Sequence, residues 1–70
     1  QVEDIQYLQL HYAFQNLPDN LREMAEIRLD NPDTPLKELG EFFQPPLGKS
    51  GVNHRLRKLS ELADTIRERN

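Results

Sequence analysis

The sequence contains no cysteine and no tryptophan, and only three glycines and two histidines. Without thiols there is neither a disulfide framework nor a thiolate metal site, which suits a reducing compartment. The glycines form no phosphate-binding loop. Apolar runs never exceed three residues, so no segment is long enough to cross a bilayer. Residues 1–15 lack a basic start followed by an apolar block, so no signal peptide is expected. His11 and His54 have no helix-spaced carboxylate or histidine partner, so no metal site is expected. Ser50 and Ser60 sit in no nucleophile elbow. Glu23, Glu26, Glu38 and Glu41 are expected on solvated faces, and nothing in the sequence suggests a pocket around them. No enzyme is expected, and with it no cofactor and no small-molecule substrate.

Positive charge is also scarce overall: the net charge is −3. Its distribution is uneven. Residues 1–48 hold Arg22, Arg28 and Lys37 against nine acids, a net of −6, whereas residues 49–70 hold six cations against Glu61, Asp64 and Glu68, a net of +3. A polyanion responds to the face presented to it, because salt screens charges beyond roughly 8 Å. The stretch from Leu47 to Leu59 carries Lys49, Arg55, Arg57 and Lys58, with His54 and no acid.

The chain is long enough for one small domain of 70 residues. Val2, Ile5, Leu8 and Tyr12 share one helical arc in residues 2–14, and Tyr7, Leu10 and Phe14 form a second. Two apolar faces call for two packing partners. Asn16 to Asn20 is a break, with Pro18 suited to a first helical turn. Leu21, Met24, Ala25 and Leu29 then follow at helical spacing, with Ile27 at the edge, until Asn31-Pro32-Asp33 ends the helix. Thr34 is a suitable N-cap before Pro35, and Leu36, Leu39, Gly40 and Phe43 share a face. Gly40 is expected mid-helix, where glycine costs about 1 kcal/mol relative to alanine, so it points to close approach of another helix. Gln44-Pro45-Pro46 stops that helix. The last helix is expected from Gly48 or Lys49 to about Arg67, with Val52, Leu56, Leu59, Ala63 and Ile66 in one stripe and Leu62 beside it.

The pattern predicts an all-α fold, a bundle of about four helices containing a helix-turn-helix. Such a motif places its second helix in the major groove with the N-terminal residues at the base edges. Here Lys49 and Ser50 reach phosphate or a base edge, Asn53 pairs with adenine and Arg57 with guanine, and His54 contacts a base or phosphate. Arg55, at the edge of the buried stripe, clamps phosphate with its stem packed down, and Lys58 contacts phosphate as well. Glu61, Asp64 and Glu68 follow on the same outward side, so the groove-binding part is the first half of the helix. A solvated amphipathic helix shows similar periodicity; the acid-free run and the small residue at 40 favour DNA.

The run Lys49-Ser50-Gly51-Val52-Asn53-His54-Arg55-Leu56-Arg57-Lys58-Leu59 closely resembles the C-terminal domain of the WhiA family of bacterial sporulation regulators. Leu36 to Glu41, Pro45-Pro46-Leu47, Leu17-Pro18, Leu21-Arg22-Glu23 and Gln1 to Ile5 resemble the same family. The resemblance implies a fold like region 4 of sigma factors. It also implies that residues 1–70 are a single helix-turn-helix domain taken from a two-domain regulator, which fits Gln1 standing where Met would. The other domain would be LAGLIDADG-like, without nuclease activity. Implied partners are promoter DNA and a sigma factor or RNA polymerase; the implied setting is the cytoplasm, at the nucleoid, in sporulation and cell division. Family members often carry Ser where this chain has Gly48. The alternative function is a protein-interaction module that docks a sigma factor, RNA polymerase or the regulator's own N-terminal domain, through a patch of Tyr7, Leu10 and Phe14. RNA binding is a third possibility.

Overall fold

A computed structural model describes residues 1–69. Four α-helices are present among them and no strand: α1 Val2–His11, α2 Asp19–Asp30, α3 Leu36–Leu39 and α4 Lys49–Arg69. Short 3-10 turns follow α1 (Phe14–Asn16) and α3 (Gly40–Phe42). The all-α, roughly four-helix architecture read from the periodicity is therefore the one adopted. No helix among the described residues is long and apolar enough to cross a membrane.

The core forms where the predicted stripes meet. Ile5 and Leu8 from α1, Met24 and Ala25 from α2, Leu39 from α3, and Val52, Leu56, Leu59 and Ala63 from α4 are buried. Leu17 and Phe43 complete it from the connections. Helix α4 is the spine: its 21 residues span about 31 Å at 1.5 Å each, and the other three helices all pack against it.

Several local expectations are corrected. Helix α1 ends at His11, because the chain turns at Tyr12 and Ala13, the latter with φ 71°. Tyr7 and Phe14 are thereby drawn half-buried against the core, leaving Leu10 alone exposed, at 81%. The second apolar face of the first helix is thus mostly used within this domain. Pro18 and Pro35 take the positions just before α2 and α3, one residue earlier than a first-turn placement, and Thr34 makes no capping hydrogen bond from its side chain. The α2–α3 turn is held by Arg28 instead. Its guanidinium donates to the carbonyls of Asn31 and Thr34, and the Asn31 amide donates to the Ile27 carbonyl at 3.0 Å.

Gly40 is not mid-helix. It ends the single α-helical turn of α3 and begins the 3-10 turn. Its backbone is ordinary right-handed helix (φ −60°, ψ −24°), so glycine is needed for space and not for a left-handed conformation. A Cβ there would lie 2.0 Å from the Leu47 carbonyl oxygen and 3.3 Å from a Val52 methyl. The approaching group is chiefly the turn backbone, with α4 behind it. The Leu47 N–H donates to the Gly40 carbonyl at 2.9 Å, closing the loop that contains the cis Gln44–Pro45 peptide. Gly48 has nothing within 4 Å of where a Cβ would sit, so a serine fits there without a clash.

At the far end of α4, Arg67 lies 2.7 Å from Asp4 and 3.1 Å from Asp64, with its guanidinium over the Tyr7 ring at 4.5 Å from the ring centre. Tyr7 in turn contacts His11, with ring centres 4.4 Å apart. This hydrogen bond from Arg67 holds the Asp4 carboxyl below its ordinary value of 3.8; burial opposes it, and Ser60 assists.

Gly40→Ala is expected to lose about 1–3 kcal/mol of stability through overpacking against the turn backbone. Gly48→Ser should stay within a few tenths of a kcal/mol, because the two residues differ little at an N-cap. Urea denaturation of both variants checks the pair. The Asp4 contact adds a pH signature. A lowered carboxyl pKa in the folded state gives stability that is present above the unfolded value and lost as pH falls through the folded one. The stability gap between the wild type and Asp4→Asn should therefore be widest near neutral pH and close below pH 3.8.

Candidate nucleic-acid interface

Helix α4 begins without an acid in its first turn, directly after Gly48, whose carbonyl accepts the Val52 N–H at 3.1 Å. Burial of Val52, Leu56 and Leu59 fixes its rotation about its own axis. Residues between those anchors must then face outward, since side chains project at about 100° per residue. Lys49, Ser50, His54, Arg57 and Lys58 are exposed, and Asn53 and Arg55 are half-buried. All seven sequence-predicted site residues therefore lie on the first three turns of one helix.

They do not form one cluster. Lys49, Ser50 and Asn53 line a shallow concavity together with Leu36 of α3. Arg55 is on the opposite flank, with its guanidinium 5.4 Å from the centre of the Phe43 ring. There it lines a separate cleft with Asp19, Asn20 and Glu23 of α2 and Gln44, Pro45 and Leu47 of the turn. His54, Arg57 and Lys58 are exposed and line neither concavity. Arg55 is thus half-buried with its guanidinium over Phe43, and acidic side chains share its cleft.

The cations differ in what occupies them. Arg22 pairs with Asp19, Arg67 with Asp4 and Asp64, and Arg28 is spent on the α2–α3 turn. Among the described residues, Lys49, Arg57 and Lys58 have no ion-pair partner; Lys37 and Arg69 share that property, one on α3 and one at the last turn of α4. Unpaired, exposed cations concentrated on a short helical face supply a positive potential without internal neutralisation. The Asn53 amide, likewise without a hydrogen bond among the described residues, offers one donor edge and one acceptor. No group of His, Asp and Glu among the described residues is arranged to hold a metal ion.

Two features escape the sequence pattern. Leu36 is only half-buried and borders the outward face of α4. Its periodicity marks it as core, and nothing in the sequence says which edge of it stays open. The Arg67–Asp4 contact joins residues 63 apart in the chain, so only the packing of α1 on α4 brings them together.

Residues 1–63 match the family model described as the WhiA C-terminal HTH domain. Proteins named probable cell division protein WhiA are similar along nearly the whole chain. The one from Clostridium beijerinckii is 58% identical over 67 residues, which is 96% of this chain and 21% of that protein. The one from Clostridium botulinum (strain Eklund 17B / Type B) is 53% identical over 70 residues, 100% of this chain and 22% of that protein. The chain thus spans about a fifth of the length of these relatives. The crystal structure of full-length DUF199/WhiA from Thermatoga maritima superposes with a TM-score of 0.85 at 30% identity, covering 91% of this chain and 22% of that one.

Arg55→Ala is expected to lower folding stability by about 0.5–1 kcal/mol, as the guanidinium leaves the Phe43 ring. Arg57→Ala and Lys58→Ala, exposed and unpaired, should stay within about 0.5 kcal/mol. Thermal melts of the three variants separate the packed cation from the free ones.

Proposed function

This chain belongs to the WhiA C-terminal HTH domain family, and on that premise we propose that it binds double-stranded DNA sequence-specifically through the first three turns of α4. The observation that carries this reading is the outward face of those turns. Lys49, Ser50, His54, Arg57 and Lys58 stand exposed there, the three cations without ion-pair partners among the described residues, and acids begin only at Glu61.

The division of labour follows from side-chain chemistry. Helix α3 and the 3-10 turn hold α4 at the angle that presents its N-terminal half to the major groove. Arg57 reads guanine through a bidentate pair with O6 and N7, and Asn53 reads adenine through N6 and N7. His54 and Ser50 contact base edges or phosphate. Lys49 and Lys58 neutralise phosphates, and Arg55 reaches a phosphate at the rim of its cleft. Past Lys58 the helix leaves the groove, because Glu61, Asp64 and Glu68 would otherwise face phosphates. On this reading the chain is the DNA-binding part of a longer transcription regulator of sporulation or cell division. Promoter DNA is its partner at the nucleoid, and a LAGLIDADG-like domain, a sigma factor and RNA polymerase are its protein partners.

Binding to a duplex selected from a random pool should weaken steeply with salt, since each neutralised phosphate contributes about −0.9 to the slope of log K against log salt. Lys58→Ala should weaken all duplexes alike and reduce that slope by about 1, whereas Arg57→Ala should lose about 1–3 kcal/mol and relax preference at one base pair. Fluorescence anisotropy at two salt concentrations checks both. Affinity unchanged in an Arg57→Ala, Lys49→Ala double variant would sink the assignment.

A further inference from the structure

The outward face of α4 is polar along its length, but the surface beside it is not. Leu36, the first residue of α3, is half-buried and lines one shallow concavity with Lys49, Ser50 and Asn53. This places an aliphatic residue from the first helix of the motif on the same concave surface as Asn53 of the second. The half-buried Asn53 amide has no hydrogen bond among the described residues, so its donor and acceptor edges are free for a ligand. The two together match what an A·T pair displays in the major groove. Adenine offers an acceptor at N7 and a donor at N6, and thymine offers a C5-methyl group. The same edge of a G·C pair carries no methyl.

We propose that Leu36 and Asn53 together read an A·T-containing step, Asn53 pairing with adenine while Leu36 takes up a thymine methyl. This rests on the DNA-binding reading above and adds a specificity-determining residue that lies outside the recognition helix. The Asn53 Nδ2 donates to adenine N7, and Oδ1 accepts from N6. The amide is then satisfied on both sides, and the Leu36 side chain is left facing the methyl of the same or the adjacent pair. Lys49 and Ser50 close the rim of the concavity toward the phosphates. Burying one methyl group is worth about a four-fold change in affinity.

The test uses duplex DNA selected by this chain from a random pool and then amplified in two forms, one with thymidine and one with deoxyuridine, which lacks only the C5-methyl. The wild type is expected to bind the deoxyuridine form about four-fold more weakly, and Leu36→Ala to bind both forms alike. If Leu36→Ala does not fold, the wild type alone decides. Single thymidine-to-deoxyuridine replacements along one selected duplex should show the loss at one position, in or next to the pair where 7-deazaadenine also weakens binding. No loss at any thymidine, an equal loss in wild type and Leu36→Ala, or selected duplexes without an A·T pair would each overturn the proposal while leaving DNA binding intact. A pool in which no duplex is enriched overturns the DNA-binding reading instead.

Discussion

The contact between Gly40 and Leu47 governs the geometry of everything that follows it. The Leu47 N–H donates to the Gly40 carbonyl at 2.9 Å, and the Leu47 carbonyl oxygen occupies the space where any other residue at 40 would carry its Cβ. Two backbone segments can approach this closely only when one of them has no side chain. The contact ends α3 after a single turn, folds the proline-containing loop back, and delivers the chain to Lys49. From there the burial of Val52, Leu56 and Leu59 fixes how α4 is rotated, and with it which residues face outward. A shift at residue 47 would move the whole outward face relative to α3, including the concavity that Leu36 shares with Asn53.

Helix α4 is divided by its surroundings more than by its own sequence. Its first half is pinned to the rest of the domain chiefly by the buried Val52, Leu56 and Leu59, with Arg55 over the Phe43 ring, which leaves Lys49, Ser50, His54, Arg57 and Lys58 exposed. Its last turns are tied to α1 through Arg67, which meets Asp4, Asp64 and the Tyr7 ring together. Arg67 is therefore occupied inside the domain, although it belongs to the same basic segment as Lys49 and Arg57. This occupation leaves Arg69 as the one cation of the last turns without an ion-pair partner among the described residues, against Lys49, Arg57 and Lys58 in the N-terminal half. It also explains why an acidic chain of net charge −3 can present a positive face: Arg22, Arg28 and Arg67 are absorbed by internal partners and Arg55 lies over Phe43, whereas Lys49, Arg57 and Lys58 have no ion-pair partner among the described residues.

The helical periods, the prolines and the charge asymmetry were legible in the sequence because each is a local property. Apolar spacing placed Ile5, Leu8, Met24, Ala25, Leu39, Val52, Leu56, Leu59 and Ala63 in a core, and they are buried. The start of α4 was equally plain, since Gln44-Pro45-Pro46 cannot be helical and an amphipathic run follows. Where two local rules competed, the tertiary fold decided. The apolar arc of Tyr7, Leu10 and Phe14 assumed one uninterrupted helix. The turn at Ala13 instead packs Phe14, half-buried, against the core and leaves Leu10 as the exposed member of that arc.

The sequence by itself determined the all-α class, the family, and the seven polar residues offered by the first turns of α4, since side-chain type and spacing along one helix suffice for that. Tertiary structure alone decided how those residues are grouped. Arg55 joins Phe43, Asp19 and Glu23 on one flank, and Asn53 joins Leu36 on the other. It also decided that Arg67 is spent on Asp4, 63 residues away, and that Gly40 makes room for a loop backbone ahead of a helix. The reason is common to all of these. Helical periodicity specifies which way a side chain points from its own axis. It carries no information about what a different segment places there.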